Sequence, residues 1–171
     1  MTIHASDPFS TPEESRSPVR RLRGRLPSPV TLWTVYDQQD RPVGLTVSSI
    51  VVVDGEPGRL LGVLDEESSL FAGLGVGAGF AVTALTGVER QLADVFAGMM
   101  PAPGGPFTLG TWERTGYGPV LAGALAWAGC RVDAIRPIGW GRLVEASIER
   151  VELGPPSAGP LLHWRGRYQT L

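Results

Sequence analysis

Hydroxyl groups concentrate in one apolar stretch, Gly44-Leu45-Thr46-Val47-Ser48-Ser49-Ile50-Val51-Val52-Val53. Side chains alternate along an extended chain, so Thr46, Ser48 and Ile50 share one face and Val47, Ser49 and Val51 the other. A hydroxyl buried in so apolar a strand needs a hydrogen-bond partner. A polar planar ligand lying against the strand would provide one. A neighbouring strand's backbone would do so equally well, and residue types alone favour that second reading. A second group, Asp65-Glu66-Glu67-Ser68-Ser69, has the oxygens to cap a short helix through Ser69 and its neighbours. His163, set between Leu162 and Trp164, is on its own more often a hydrogen-bonded or half-exposed histidine than a catalyst. The cluster Arg20, Arg21, Arg23 and Arg25 suits phosphate, a solvated helix face or a contact on another subunit. Cys130 reads as a small buried hydrophobe.

These groups need elements to position them. Pro18 to Leu26 predicts a turn or two of helix with proline near its start. Val30 to Tyr36 is β-branched and aromatic and predicts a strand, followed by a polar turn and a second strand from Val43 to Val53. Arg59 to Leu64 predicts a third strand and Phe80 to Leu85 a fourth. The glycines at 73, 75, 77 and 79 leave room for only a short, weak helix between them. Thr86 to Ala97 predicts a helix with Val88, Leu92, Val95 and Phe96 on one stripe, ended by Gly98. Val120 to Ala128 is ambiguous between helix and strand. Cys130 to Ile135, Arg142 to Glu152 and Leu161 to Tyr168 predict further strands. Trp33, Trp112, Trp127 and Trp164 are expected in the core or an interface, and core filling is favoured over ligand stacking for Trp140. Asp133, Glu145 and Glu149 are expected as solvated strand-face charges. Six or more short strands with turns between them and one clear helix describe a β-barrel with helical decoration.

Every one of the 15 basic residues is arginine, and the net charge is −2. No general attraction to nucleic acid or to an anionic membrane is indicated. With a hydrophobic share of 43% and a charged share of 19%, the composition is that of a globular domain. A single cysteine excludes an internal disulfide and fits a reducing compartment. With only two histidines beside it, a structural zinc site is disfavoured. No apolar run reaches the roughly 18–20 residues of a membrane span. No apolar stretch marks a secretory signal, so the expected location is cytoplasmic. The length of 171 residues suits one domain that buries a real core. Residues 1–17, rich in Ser, Pro and charge, are expected as a disordered leader, with a single domain over 18–171.

The order of motifs from Val19 to Tyr168 resembles the flavin reductase-like, FMN-binding split-barrel family. The segments that carry it are Pro27-Ser28-Pro29-Val30-Thr31, Arg41-Pro42-Val43-Gly44-Leu45-Thr46-Val47-Ser48-Ser49, Leu64-Asp65 with Ser68-Ser69, and Phe80-Ala81-Val82. Phe96-Ala97-Gly98, Gly118 to Trp127 with Cys130-Arg131-Val132, and Arg165-Gly166-Arg167-Tyr168 follow in order. The resemblance implies a mainly β split barrel with a few short helices, a homodimer, and FMN or FAD near the subunit interface. It places Thr46, Val47, Ser48 and Ser49 along the isoalloxazine and ribityl chain. Leu64, Asp65, Ser68 and Ser69 fall by the ribityl and phosphate, and Phe80 and Ala81 border the ring. His163, the candidate catalytic residue, and Arg167 face the cofactor or the nicotinamide of NADH or NADPH. Short hydroxyls and backbone N–H groups suit a uracil-like edge and phosphate oxygens. The implied activity is hydride transfer from the nicotinamide to flavin, with reduced flavin passed to a monooxygenase.

The chain departs from the family pattern at several positions. Glu66 and Glu67 stand where a cation and a small residue are common, and Leu70 replaces a hydroxyl. Gly79 replaces a common arginine, Thr83 a common asparagine, and Gly139-Trp140-Gly141 a frequent Gly-Asp-His. Carboxylates repel a phosphate dianion unless they point away. Two other functions therefore stay open: a flavin-binding split-barrel protein that does not reduce free flavin, and a cofactor-free dimeric interaction protein.

Overall fold

The computed structural model describes residues 17–155 and 159–171. All of the expected leader except Ser17 lies outside the described residues. Ser17 caps helix α1 (Pro18–Arg25), its hydroxyl accepting the Arg20 N–H at 3.3 Å, with Pro18 in the first turn. Strands β1 (Ser28–Pro29), β2 (Thr31–Tyr36) and β3 (Pro42–Val47) follow. The β2–β3 turn is set by Asp37. One carboxylate oxygen accepts the N–H groups of Gln39 and Arg41, each at 2.9 Å, while the other accepts from the Arg41 guanidinium. Next come β4 (Ile50–Val53), β5 (Arg59–Leu64), α2 (Ser69–Ala72), β6 (Gly79–Ala84) and α3 (Arg90–Phe96). The chain ends with β7 (Trp112–Arg114), β8 (Pro119–Leu121), β9 (Ala126–Ile138), β10 (Gly141–Leu153), β11 (Leu161–Trp164) and β12 (Arg167–Thr170).

The architecture is mainly β, as expected, with few short helices and one curled, half-barrel sheet. Its order is β3-β2-β6-β9-β10-β5-β4, antiparallel throughout. The two outermost strands, β3 and β4, are consecutive in sequence, so Ser48-Ser49 steps directly from one edge of the sheet to the other. At that step the Ser49 carbonyl accepts the Val63 N–H at 3.0 Å, extending the β4–β5 ladder. A smaller sheet, β1-β11-β12, lies beyond the start of β2, and β7 pairs with β8.

Inside the curl, Trp33 stacks on Phe80 with ring centroids 4.8 Å apart, both at 0% exposure. Gly62 makes this possible, because a Cβ there would fall 2.4 Å from the indole. Leu60, Leu64, Leu70, Val132 and Val144 are among the residues that pack in the same cluster. Truncating an aromatic of this kind costs about 3–5 kcal/mol. On the other face of β2, helix α3 buries Leu92, Ala93 and Phe96 against Val30, Leu32, Leu85 and Leu161. Its entry is fixed by a capping box: the Thr86 N–H and hydroxyl both donate to the Glu89 carboxylate.

Several expectations are corrected. The stretch 43–53 is two strands, because Ser48-Ser49 changes partners from β2 to β5. The last strand, expected over 161–168, is a hairpin turning at Arg165 (φ 50) and Gly166 (φ 76). Residues 120–128 resolve into β8, a turn and the start of β9. The first turn of the helix after Thr86 is a 3-10 turn, Gly87–Glu89, so Val88 points outward at 87% exposure. Trp140 fills no core: it is 76% exposed at the β9–β10 turn. Trp164 is 41% exposed and donates its indole N–H to the Arg25 carbonyl, tying α1 to the last hairpin. Asp133 and Glu149 are not merely solvated, since each is paired, with Arg59 and Arg131.

Candidate functional site

Two of the candidate segments meet at the seam. Ser49 bonds to Val63, one residue before Leu64 and two before Asp65, so the Ser48-Ser49 step and the Asp65–Ser69 loop lie side by side. Within them the hydroxyls fall into two classes. Thr46 donates to the Ala93 carbonyl at 2.7 Å, holding α3 against β3. The backbone reading of that hydroxyl is the correct one. Ser68, rather than Ser69, is the N-cap of α2: it accepts the Phe71 N–H at 3.2 Å and donates to the Asp65 carbonyl at 2.7 Å. By contrast, Ser48 and Ser49 are half-buried, and their hydroxyls bond to no other described residue. Those two hydroxyls remain available at a partly enclosed position.

The charged groups of the loop are also committed. Asp65 accepts the Glu67 N–H at 3.0 Å. Glu66 accepts from the Arg142 guanidinium at 2.7 Å, closing the loop onto the start of β10. Glu67 and Ser69 are exposed.

Other candidate residues lie in the core. Phe80 and Ala81 are at 0% exposure, Leu64 at 2% and Val47 at 4%. The chain's own atoms enclose them, so they shape the seam from behind. Thr83, on β6, is wholly buried and its hydroxyl has no partner among the described residues.

His163 and Arg167 sit on the smaller sheet, in β11 and β12, and not on the seven-stranded sheet that forms the seam. His163 is half-buried opposite Ser28 and edge-on to Tyr168, with centroids 5.9 Å apart. Burial, with a smaller push from the Arg23 charge, holds its imidazole below the usual 6.5, so the ring is neutral at pH 7. Arg167 lies along an open groove of about 710 Å3 with Arg90, Tyr168 and Thr170. Burial, aided by Asp94, pushes the Tyr168 hydroxyl up to about 12. Arg90, 5.9 Å above the Tyr168 ring, is a groove residue that the sequence analysis did not single out. Cys130 is sealed in the core, its thiol pushed up to about 12 by burial and by Glu149, and is inert.

The flavin reductase like domain model matches residues 23–171. This chain belongs to that family. The chain is 31% identical over 153 residues to FMN reductase (NADH) RutF 1 of Methylorubrum extorquens, covering 89% of this chain and 75% of that protein. It is 30% identical over 168 residues to the NADH:riboflavin 5'-phosphate oxidoreductase of Streptomyces pristinaespiralis, covering 97% and 93% of the two chains. In fold it is similar to an NADH:FAD oxidoreductase of Streptomyces globisporus, with a TM-score of 0.80, 24% identity and coverage of 94% and 95%. The styrene monooxygenase flavin reductase of Pseudomonas putida gives a TM-score of 0.79 at 19% identity, covering 91% and 97%.

Proposed function

We propose that this chain is an NADH-dependent flavin reductase whose flavin is held at the Ser48-Ser49 seam. The observation that carries the reading is the pair of half-buried, uncommitted serine hydroxyls beside the Asp65–Ser69 loop, where the hydroxyls of Thr46 and Ser68 are both committed to the backbone. Ser48, Ser49 and the adjoining backbone would hold FMN or FAD, and a bound flavin supplies the hydride acceptor. The chain's own part is placement: it aligns the donor and acceptor and keeps water out, and hydride transfer of this kind needs no general acid or base. We assign His163 and Arg167, on the smaller sheet, to the nicotinamide side, with the neutral imidazole acting as a polar contact.

The reading includes a homodimer of split barrels in the cytoplasm. Support for an interface comes from apolar groups left outside the core. Val51, Val52 and Val53 on edge strand β4 are 58%, 64% and 44% exposed, and Val19 and Leu22 of α1 are 76% and 60% exposed. Apolar side chains on an unpaired edge strand invite a second chain. The likeness to reductases of monooxygenase systems supports a monooxygenase component as the recipient of reduced flavin. No helix among the described residues is long and apolar enough to cross a membrane.

The test is steady-state NADH oxidation by the purified chain with FMN in excess. Turnover that scales with protein concentration is expected. A protein that binds flavin yet consumes no NADH would replace the reductase reading with that of a flavin carrier.

A further inference from the structure

Charge is divided unevenly over this chain. Residues 17–30 and 159–171 carry Arg20, Arg21, Arg23, Arg25, Arg165 and Arg167 and no Asp or Glu. The fold brings the two segments together. Strand β1 pairs with β11, the Arg165 N–H donates to the Gly24 carbonyl at 2.9 Å, and the Trp164 indole donates to the Arg25 carbonyl. All six arginines are exposed, and none forms an ion pair among the described residues. Residues 31–155 hold fourteen Asp and Glu against eight Arg, and six of those eight are each held by a carboxylate. A net charge of −2 thus conceals a basic end on an acidic barrel. That end adjoins both the seam and His163. Thr31, two residues after β1, donates its hydroxyl to the Val47 carbonyl at 2.6 Å, next to Ser48. His163 lies on the hairpin itself, and the Arg23 charge bears on its imidazole.

We infer that this arginine end collects the anionic pyridine nucleotide for the reductase, drawing it in by charge ahead of any fixed contact. The pyrophosphate of NADH is a dianion. It is repelled over the acidic barrel and attracted to the basic end, which raises its local concentration beside His163. Guanidinium groups without a carboxylate suit this role, because an adjacent opposite charge cancels most of the field that reaches solvent. The inference rests on the NADH-dependent reading above, with His163 on the nicotinamide side. Arg20, Arg21 and Arg25 act on capture and not on chemistry: they set how often the nucleotide arrives and leave hydride transfer as it is.

Steady-state oxidation of two hydride donors, with FMN held saturating, tests this. For NADH, kcat/KM should fall about fivefold as salt rises from about 20 mM to about 300 mM, while kcat holds. For an uncharged N-alkyl dihydronicotinamide it should stay level over the same range. The variant Arg20→Gln/Arg21→Gln/Arg25→Gln should lower kcat/KM for NADH about fivefold at low salt and flatten its salt dependence. Its kcat, and its kcat/KM for the uncharged donor, should match the wild type. A kcat/KM for NADH that salt leaves unmoved, or that falls equally for the uncharged donor, would overturn the inference. A folded triple variant with the wild-type value at low salt would do the same. In each of these cases NADH is still consumed, so the reductase reading stands. Absence of turnover with both donors would overturn the two together.

Discussion

At the scale of single residues, the division between spent and available polar groups decides what each can do. Thr83 is an orphan, its hydroxyl buried without a described partner. Replacing it by valine, which keeps the shape and removes the stranded dipole, should stabilise the fold by about 1 kcal/mol in denaturant titration. His163 is held below 6.5 in the fold by burial and by Arg23, so the unfolded chain binds its proton first as pH falls. The contribution is intact above 6.5 and is lost as pH drops through that value. His163→Gln should therefore flatten the fall in Tm between about pH 7 and pH 5, a window set by the unperturbed histidine value. Carboxylates such as Glu149, lowered by its bonds from Arg131, lose their contribution only at more acid pH. If His163 contacts nicotinamide, the same variant raises the KM for NADH and leaves the dissociation constant for flavin unchanged.

Among the elements, the seam and the entry to α3 matter most. The Thr86–Glu89 capping box holds α3 at the angle that lets Ala93 receive Thr46, and so holds β3 up to the seam. Thr86→Ala should cost about 1 kcal/mol in a chemical melt and loosen flavin binding as a consequence. Most elements were legible in the sequence because local patterns specify them: a β-branched and aromatic run for β2, short apolar runs between turns for β5 and β6, proline for the start of α1, glycine for the end of α3. The features that escaped depend on distant partners. Residues 43–53 keep strand character throughout, and only the meeting with Val63 reveals that the chain changes edges at Ser48. Val88 fits the helical stripe by spacing, yet a 3-10 turn rotates it into solvent. Trp140 is a large aromatic by type, but it sits at a turn between two long strands. The serines and the 65–69 loop could be singled out from residue types and order. Glu66's partner could not, since Arg142 comes 76 residues later and reaches the loop only through the β5–β10 ladder.

For the whole molecule, the topology explains why the site lies where it does. A seven-stranded sheet whose first and last strands are neighbours in sequence must curl, and its closure point is a short polar step in an otherwise apolar wall. The same curl leaves β4 as an edge with three exposed valines, which we assign to the dimer. Val52→Lys should shift the chain toward monomer in analytical ultracentrifugation without changing its circular dichroism, because a lysine on an edge strand opposes pairing with a second edge. The central claim, that flavin is held at the seam, is tested most directly by the affinity of the Ser48→Leu/Ser49→Leu double variant for FMN, measured by fluorescence quenching beside the wild type. Bulky apolar side chains in place of two available hydroxyls should weaken binding by about a hundredfold or more while Tm stays within a few degrees of wild type. Wild-type affinity in a folded double variant would contradict the account and send the flavin elsewhere on the molecule.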